Sequence, residues 1–160
     1  MTVPEPVTHD EIDSIAAWTI IRAARELSRR LEVELGPTGL SPVEFGVLAQ
    51  LAAGAGLSQA DLARAVGVRP QSMTTLVAGL TARSLIERGA EGGRGRHSRI
   101  RLTDHGRSLL ADTWPLVAAS NSWFGQDRDR LEAVVATLQP LLGGAASSDA
   151  ATTGQSTRDD

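Results

Sequence analysis

The chain has 160 residues, with 16 basic and 19 acidic side chains, a net charge of −3 and no cysteine. That length allows one domain with a substantial core, and the lack of cysteine excludes disulfides, thiolate metal sites, a catalytic thiol and thiol redox sensing. No apolar run approaches the ~20 residues that span a bilayer, and the acidic first residues lack the apolar stretch of a secretory signal, so the expectation is a soluble cytoplasmic protein.

In chain order, residues 1–8, with Pro4 and Pro6, read as a flexible arm. From about His9 to Leu35 the apolar positions Ile12, Ala16, Ile20, Ala24, Leu27, Leu31 and Leu35 advance by three or four, as on one helix face. Ile15, Trp18 and Ile21 widen that stripe beyond the needs of a lone surface helix, which calls for a partner helix, including one from a second chain. The run Gly36-Pro37-Thr38-Gly39 breaks the pattern. Ser41 with Pro42 then marks the start of a second helix carrying Phe45, Val47, Leu48 and Leu51, which stops at Gly54-Ala55-Gly56.

Ser58 and Asp61 resemble a capping box opening a helix of Leu62, Ala63 and Val66. Gly67 ends it at a tight turn, and Pro70 starts a helix to Ala82 with Met73, Leu76, Val77 and Leu80 inward. Its outward positions are Gln71, Ser72, Thr74, Thr75, Ala78 and Gly79. Leu85 to Arg88 and Arg99 to Leu102 read as short strands around a Gly-rich loop armed with Arg94, Arg96, His97 and Arg99. Thr103 or Asp104 caps a fifth helix, in which Pro115 predicts a kink or an early end near Thr113. A last helix is expected over Asp127 to Leu142, and residues 143–160 are small, polar and expected to be disordered.

Two short helices joined by a tight glycine turn, then a basic hairpin, is the layout of a winged helix-turn-helix, spanning residues 41–103. The predicted fold class is therefore mostly α with a small β-hairpin wing, a winged helix-turn-helix core and flanking N- and C-terminal helices at residues 9–35 and 104–142, all within one domain over residues 9–142. Charge supports a phosphate-docking face. From Arg64 to Arg107 nine arginines stand against Glu87, Glu91 and Asp104, while other acids lie in the flanks. Every basic residue is arginine, so each basic contact can be bidentate. On the helix face, Gln71 can pair with adenine, and Ser72, Thr74 and Thr75 can meet a base edge or phosphate. Arg69 and Pro70 bring a charge and the helix N-terminus to the same place. An arginine of the loop suits the negative potential of a narrow minor groove.

Catalysis has no candidate constellation. Glu32 and Glu34 lie two apart on a helix and diverge, Asp127 and Asp129 suit a helix start, and phosphate-loop, metalloprotease and serine-hydrolase motifs are absent. The three histidines are scattered, which argues against a metal site. No cofactor is expected.

The segments LSPVEFGVLAQL, LSQADLARAVGVRPQSMTTLVAGL, SLIERG and IRLTDHG are similar to the MarR family of transcriptional regulators, over about residues 10–142. The element Leu102, Thr103 and Gly106 after a basic wing carries much of that specificity. The resemblance implies a homodimer, built by N- and C-terminal dimerisation helices at residues 9–35 and 104–142, that binds double-stranded DNA at a pseudo-palindrome, with a small aromatic effector held between the dimer helices and the DNA-binding lobe. The candidate effector residues it implies are Trp18, Arg22, Phe45 and Trp114. The chain departs from the family at the wing, where an Asp-x-Arg pair is common and Arg94-Gly95-Arg96 stands instead. This points to a looser wing, or to one that docks through phosphates. The alternative reading is a winged-helix dimer acting mainly through protein contacts, as an antirepressor or degenerate regulator, motivated by the charge-poor helix face.

Overall fold

A computed structural model describes residues 7–54, 56–89 and 99–142. Along the chain run α1 (His9–Ser14), α2 (Ala16–Leu35), α3 (Pro42–Ala53), α4 (Gln59–Val66), α5 (Pro70–Ala82), β1 (Ile86–Arg88), β2 (Ile100–Leu102), α6 (Asp104–Ala119) and α7 (Arg128–Leu138), with 3-10 turns after α2, α6 and α7. The central helices start where local chemistry places their caps. The hydroxyl of Ser41 accepts from the Glu44 amide at 3.2 Å while Glu44 returns to the Ser41 amide at 2.8 Å. Ser58 and Asp61 repeat that reciprocal box at α4, aspartate serving in place of glutamate. Thr103, not Asp104, caps α6, accepting from the Gly106 amide at 3.0 Å.

The core lies between α3, α4, α5, the hairpin and the first half of α6. Leu48, Val47, Leu62, Met73, Leu80 and Ile100 are fully buried in it, together with Leu85, Ile86 and Val77. The hairpin is antiparallel, pairing Ile86 with Leu102, Glu87 with Arg101 and Arg88 with Ile100. Its inward residues Ile86, Ile100 and Leu102 close the core beside α5. Leu57 adds a third rung, exchanging both backbone hydrogen bonds with Ile100 at 3.2 and 2.9 Å. That rung sits in what reads locally as a loop, because one bridging residue has no period to detect.

Three expectations need correction. The first helix is not continuous from His9 to Leu35. Ile15 is extended (φ −76°, ψ 100°) and divides it. Side chains brace the break: Thr19 Oγ1 donates to the Asp13 carbonyl at 2.9 Å, and Arg22 pairs with the Asp13 carboxylate at 2.6 Å. Pro115 does not end α6 near Thr113, since the helix runs to Ala119. A proline in a helix interior costs about 3 kcal/mol, but Leu110 and Thr113 before it are buried, and Val117 after it packs on the same core. Tertiary burial on both sides of the proline outweighs the lost amide. The last helix stops at Leu138, and Gln139–Leu142 form a 3-10 turn, where Pro140 has no amide to continue the α pattern.

α2 contributes only Leu35 as a buried residue to the core, and α7 buries no residue. Ile15, Trp18, Ile20, Ile21, Val33, Trp114, Leu116 and Val135 all stand exposed on α2, α6 and α7 or just before them. Among the described residues no helix is long and apolar enough to cross a membrane.

Candidate nucleic-acid interface

The turn that presents α5 is set by one residue. Gly67 adopts φ +71°, ψ 30°, a left-handed conformation glycine enters without a Cβ penalty. Its amide reaches the Arg64 carbonyl at 3.3 Å, and the Val68 amide reaches the Ala63 carbonyl at 3.0 Å, closing α4 in a Schellman motif. Arg69 follows in extended backbone, as a residue before proline prefers, and Pro70 opens α5. Met73, Val77 and Leu80 anchor the helix in the core. Gln71, Ser72, Thr74, Thr75, Ala78 and Gly79 are exposed on the opposite face, together with Arg69 and Pro70. The helix thus stands out from the body with one face free, as its spacing requires.

The electrostatics of that face come from its edges. α5 contains no charged side chain, and its first turn has no acid to neutralise the positive end of the helix. Arg69 supplies charge at its N-terminus. Arg83 at the other end is committed to the body: Nη1 pairs with Glu44 at 3.2 Å and Nη2 donates to the Gly39 carbonyl at 3.0 Å. Arg88 and Arg99 lie exposed on the two arms of the hairpin, where the Gly89 amide donates to the Arg99 carbonyl at 2.7 Å. Arg94, Arg96 and His97 lie outside the described residues.

One contributor has no sequence signature. Gln59, the first residue of α4, donates from Nε2 to Thr74 Oγ1 at 2.7 Å and accepts from Arg88 Nη2 at 3.3 Å. Thr74 in turn donates to the Pro70 carbonyl at 3.2 Å. A glutamine inside a capping box looks like helix filler in one dimension. Only the tertiary fold brings residues 59, 74 and 88 together.

Below the hairpin, α6 is locked to the strand entry. Thr103 Oγ1 donates to the Ser84 carbonyl at 2.7 Å, and the Thr103 amide donates to the Leu85 carbonyl at 3.1 Å. Ser84 takes a positive φ of 56° to make this corner. The capping carboxylate of Asp61 is held below the usual carboxylate range, first by the Ser58 hydroxyl and further by Arg64. Glu26 on α2 is lowered to about 2 by hydrogen bonds from Arg29 and then Arg30.

Phe45 and Trp114, two of the four candidate effector residues, are in contact. The Phe45 and Trp114 rings meet at 5.9 Å between centroids, tilted by 38°, with Trp114 still 55% exposed. Trp18 lies on the exposed side of α2. Arg22, one turn further on, pairs with Asp13 and lines an open depression of about 680 Å³ with Thr19, Arg25 and Glu26. Trp123 lies in the turn after α6, with the Arg30 guanidinium 6.0 Å from its ring. Among the described residues no group of acidic or histidine side chains is placed to hold a metal.

This arrangement has counterparts. The MarR family model matches residues 38–97, from the turn before α3 through the hairpin loop. The HTH-type transcriptional repressor Rv2887 of Mycobacterium tuberculosis is 32% identical over 110 residues, which is 69% of this chain and 79% of that protein. The crystal structure of the Mycobacterium tuberculosis MarR family protein Rv2887 in complex with salicylic acid aligns with a TM-score of 0.65 at 28% identity, over 81% of this chain and 97% of that one. CouR of Rhodococcus jostii RHA1, a transcriptional repressor bound to a 23-mer DNA duplex, has the same fold, with a TM-score of 0.76 at 24% identity over 85% and 98% of the two chains. With its capped helix pair, glycine turn and short basic hairpin, the chain belongs to the MarR family of transcriptional regulators.

Proposed function

We propose that this regulator binds a pseudo-palindromic DNA operator as a homodimer and is released by a small aromatic acid. The observation that carries the reading is the free face of α5, polar and without acids, flanked by Arg69 and by the arginine-bearing hairpin. Gln71, Ser72 and Thr75 are the base-reading groups in this account. Arg69, Arg94, Arg96, His97 and Arg99 supply phosphate and minor-groove contacts. Homodimerisation is supported by the uncovered apolar flanks of α2, α6 and α7.

Binding to a duplex in rising salt tests the DNA reading. Log K is expected to fall linearly with log salt, by about 0.9 for each phosphate neutralised. Arg96→Ala is expected to flatten that slope by about one phosphate if the arginine contacts the backbone. If it senses groove width, preference for A·T-rich flanks falls as well. The charge-free side chains of α5 are what favour the second reading, a dimer working through protein contacts. Affinity that matches bulk DNA at physiological salt would overturn the first reading.

For the effector, the supporting observations are the exposed Trp114 ring against Phe45 and the salicylic acid complex of the Mycobacterium tuberculosis relative. Salicylate is expected to quench tryptophan fluorescence, with Trp114→Phe removing most of the response. Absence of any response to aromatic acids would leave a regulator without this ligand class.

A further inference from the structure

α4, α5 and β1 share the buried core on one side, and the side chain of Gln59 joins the same three elements by hydrogen bonds at the surface. α4 supplies the carboxamide, α5 the Thr74 hydroxyl, and β1 the Arg88 guanidinium. A carboxamide suits this position because it has a donor and an acceptor on one planar group. A lysine could not accept from Arg88, and a carboxylate could not donate to Thr74. Asparagine lacks the reach.

Two consequences follow from the hydrogen-bond directions. Thr74 has one proton, which goes to the Pro70 carbonyl, while its oxygen accepts from Gln59. It therefore cannot donate to a phosphate or a base acceptor without breaking a bond within α5, and reading falls to Gln71, Ser72 and Thr75. Arg88 gives one of its five N–H donors to Gln59, so its guanidinium is oriented before any ligand arrives. A side chain held in place loses less rotamer freedom on binding, and that difference appears as affinity.

We propose that Gln59 is a positioning residue that clips the recognition helix to the root of the wing and presents Arg88 to the DNA backbone beside it. This rests on the DNA-binding reading above. The clip acts through Arg88 and Thr74, the two partners that hold the Gln59 amide.

The test is a mutant cycle on the full-length protein, using a duplex selected by the wild type from random sequence and a scrambled duplex of equal length. Gln59→Ala is expected to weaken the selected duplex about tenfold, the scale of one net hydrogen bond, while the melting temperature stays within a degree or two. Gln59→Ala combined with Arg88→Ala is expected to bind no more weakly than Arg88→Ala alone. That non-additivity is a readout that general loosening of the fold does not produce. Unchanged affinity in Gln59→Ala, or fully additive losses in the double variant, overturns the clip while leaving DNA binding intact. A wild type that fails to discriminate the two duplexes overturns the DNA reading itself and the clip with it.

Discussion

Replacing Gly106 by alanine is expected to lower the melting temperature by roughly 10 °C or more and to abolish ligand binding at growth temperatures. Gly106 is buried in the first turn of α6. An ideal Cβ there lies 2.0 Å from the Leu85 carbonyl oxygen, 3.0 Å from its carbon and 3.2 Å from Leu102 Cδ2. The first two atoms are backbone and cannot swing aside. That carbonyl already accepts from the Thr103 amide, and Thr103 is tied again to Ser84 through its hydroxyl. Moving α6 away would break the helix cap and the corner at Ser84 together.

Overpacking that a core can relax costs about 1–3 kcal/mol, and this contact falls at or above the top of that range because the obstruction is main chain. Gly79 is the internal control. It is exposed on α5 with nothing within 4 Å of an added Cβ, so alanine there is expected to be neutral or to gain ~1 kcal/mol of helix propensity. Thermal melts of the two variants side by side give the answer. A Gly106→Ala melt within two degrees of wild type would contradict the packing described for α6.

The second large effect concerns assembly. Ile21 and Val135 are each about half exposed on α2 and α7, and Trp18, Val33, Leu141 and Leu142 also stand exposed on α2 and after α7. Several large apolar side chains left uncovered on the flanking helices favour an interaction surface there. The core does not need α7, since α3 to α6 and the hairpin supply most of its buried side chains and α7 contributes none. The combined variant Ile21→Glu and Val135→Glu places unpaired carboxylates where a dimer would desolvate them, at a cost of several kcal/mol.

Sedimentation is expected to show a wild-type dimer and a monomeric variant, with helical circular dichroism retained because the central core is untouched. Affinity for a palindromic duplex should fall by about 10³-fold or more, toward the non-specific level, because one half-site alone remains in contact. A wild type that sediments as a monomer, or a monomeric variant that binds the palindrome undiminished, would rule out the dimeric account.

The helix-turn-helix was legible because its signals are local. Ser41 with Pro42, the Ser58–Asp61 box, Gly67 and Pro70 each act within four residues, and the structure starts α3, α4 and α5 and stops α4 at those positions. The exposed set on α5 followed from its period. What escaped was tertiary. The break at Ile15 depends on Asp13 reaching Thr19 and Arg22 across it. The continuation of α6 through Pro115 depends on burial at Thr113 and Val117 outweighing a strong local signal. The Leu57 rung and the Gln59 clip join residues far apart in sequence. Gly106 was visible as part of a pattern, but the reason for it, a carbonyl in the way of any Cβ, is geometric. For the effector, Phe45 and Trp114 do come together, whereas Arg22 turns to Asp13, because an ion pair nine residues apart forms only once the chain bends at Ile15.

The most direct test of the account is selection of bound duplexes from a random-sequence pool by the full-length protein at physiological salt. An inverted repeat is expected, its half-site centres about 34 Å apart, one helical turn, with the strongest preferences at positions facing Gln71, Ser72 and Thr75. A pool with no enriched inverted repeat, bound no better than bulk DNA, would contradict it.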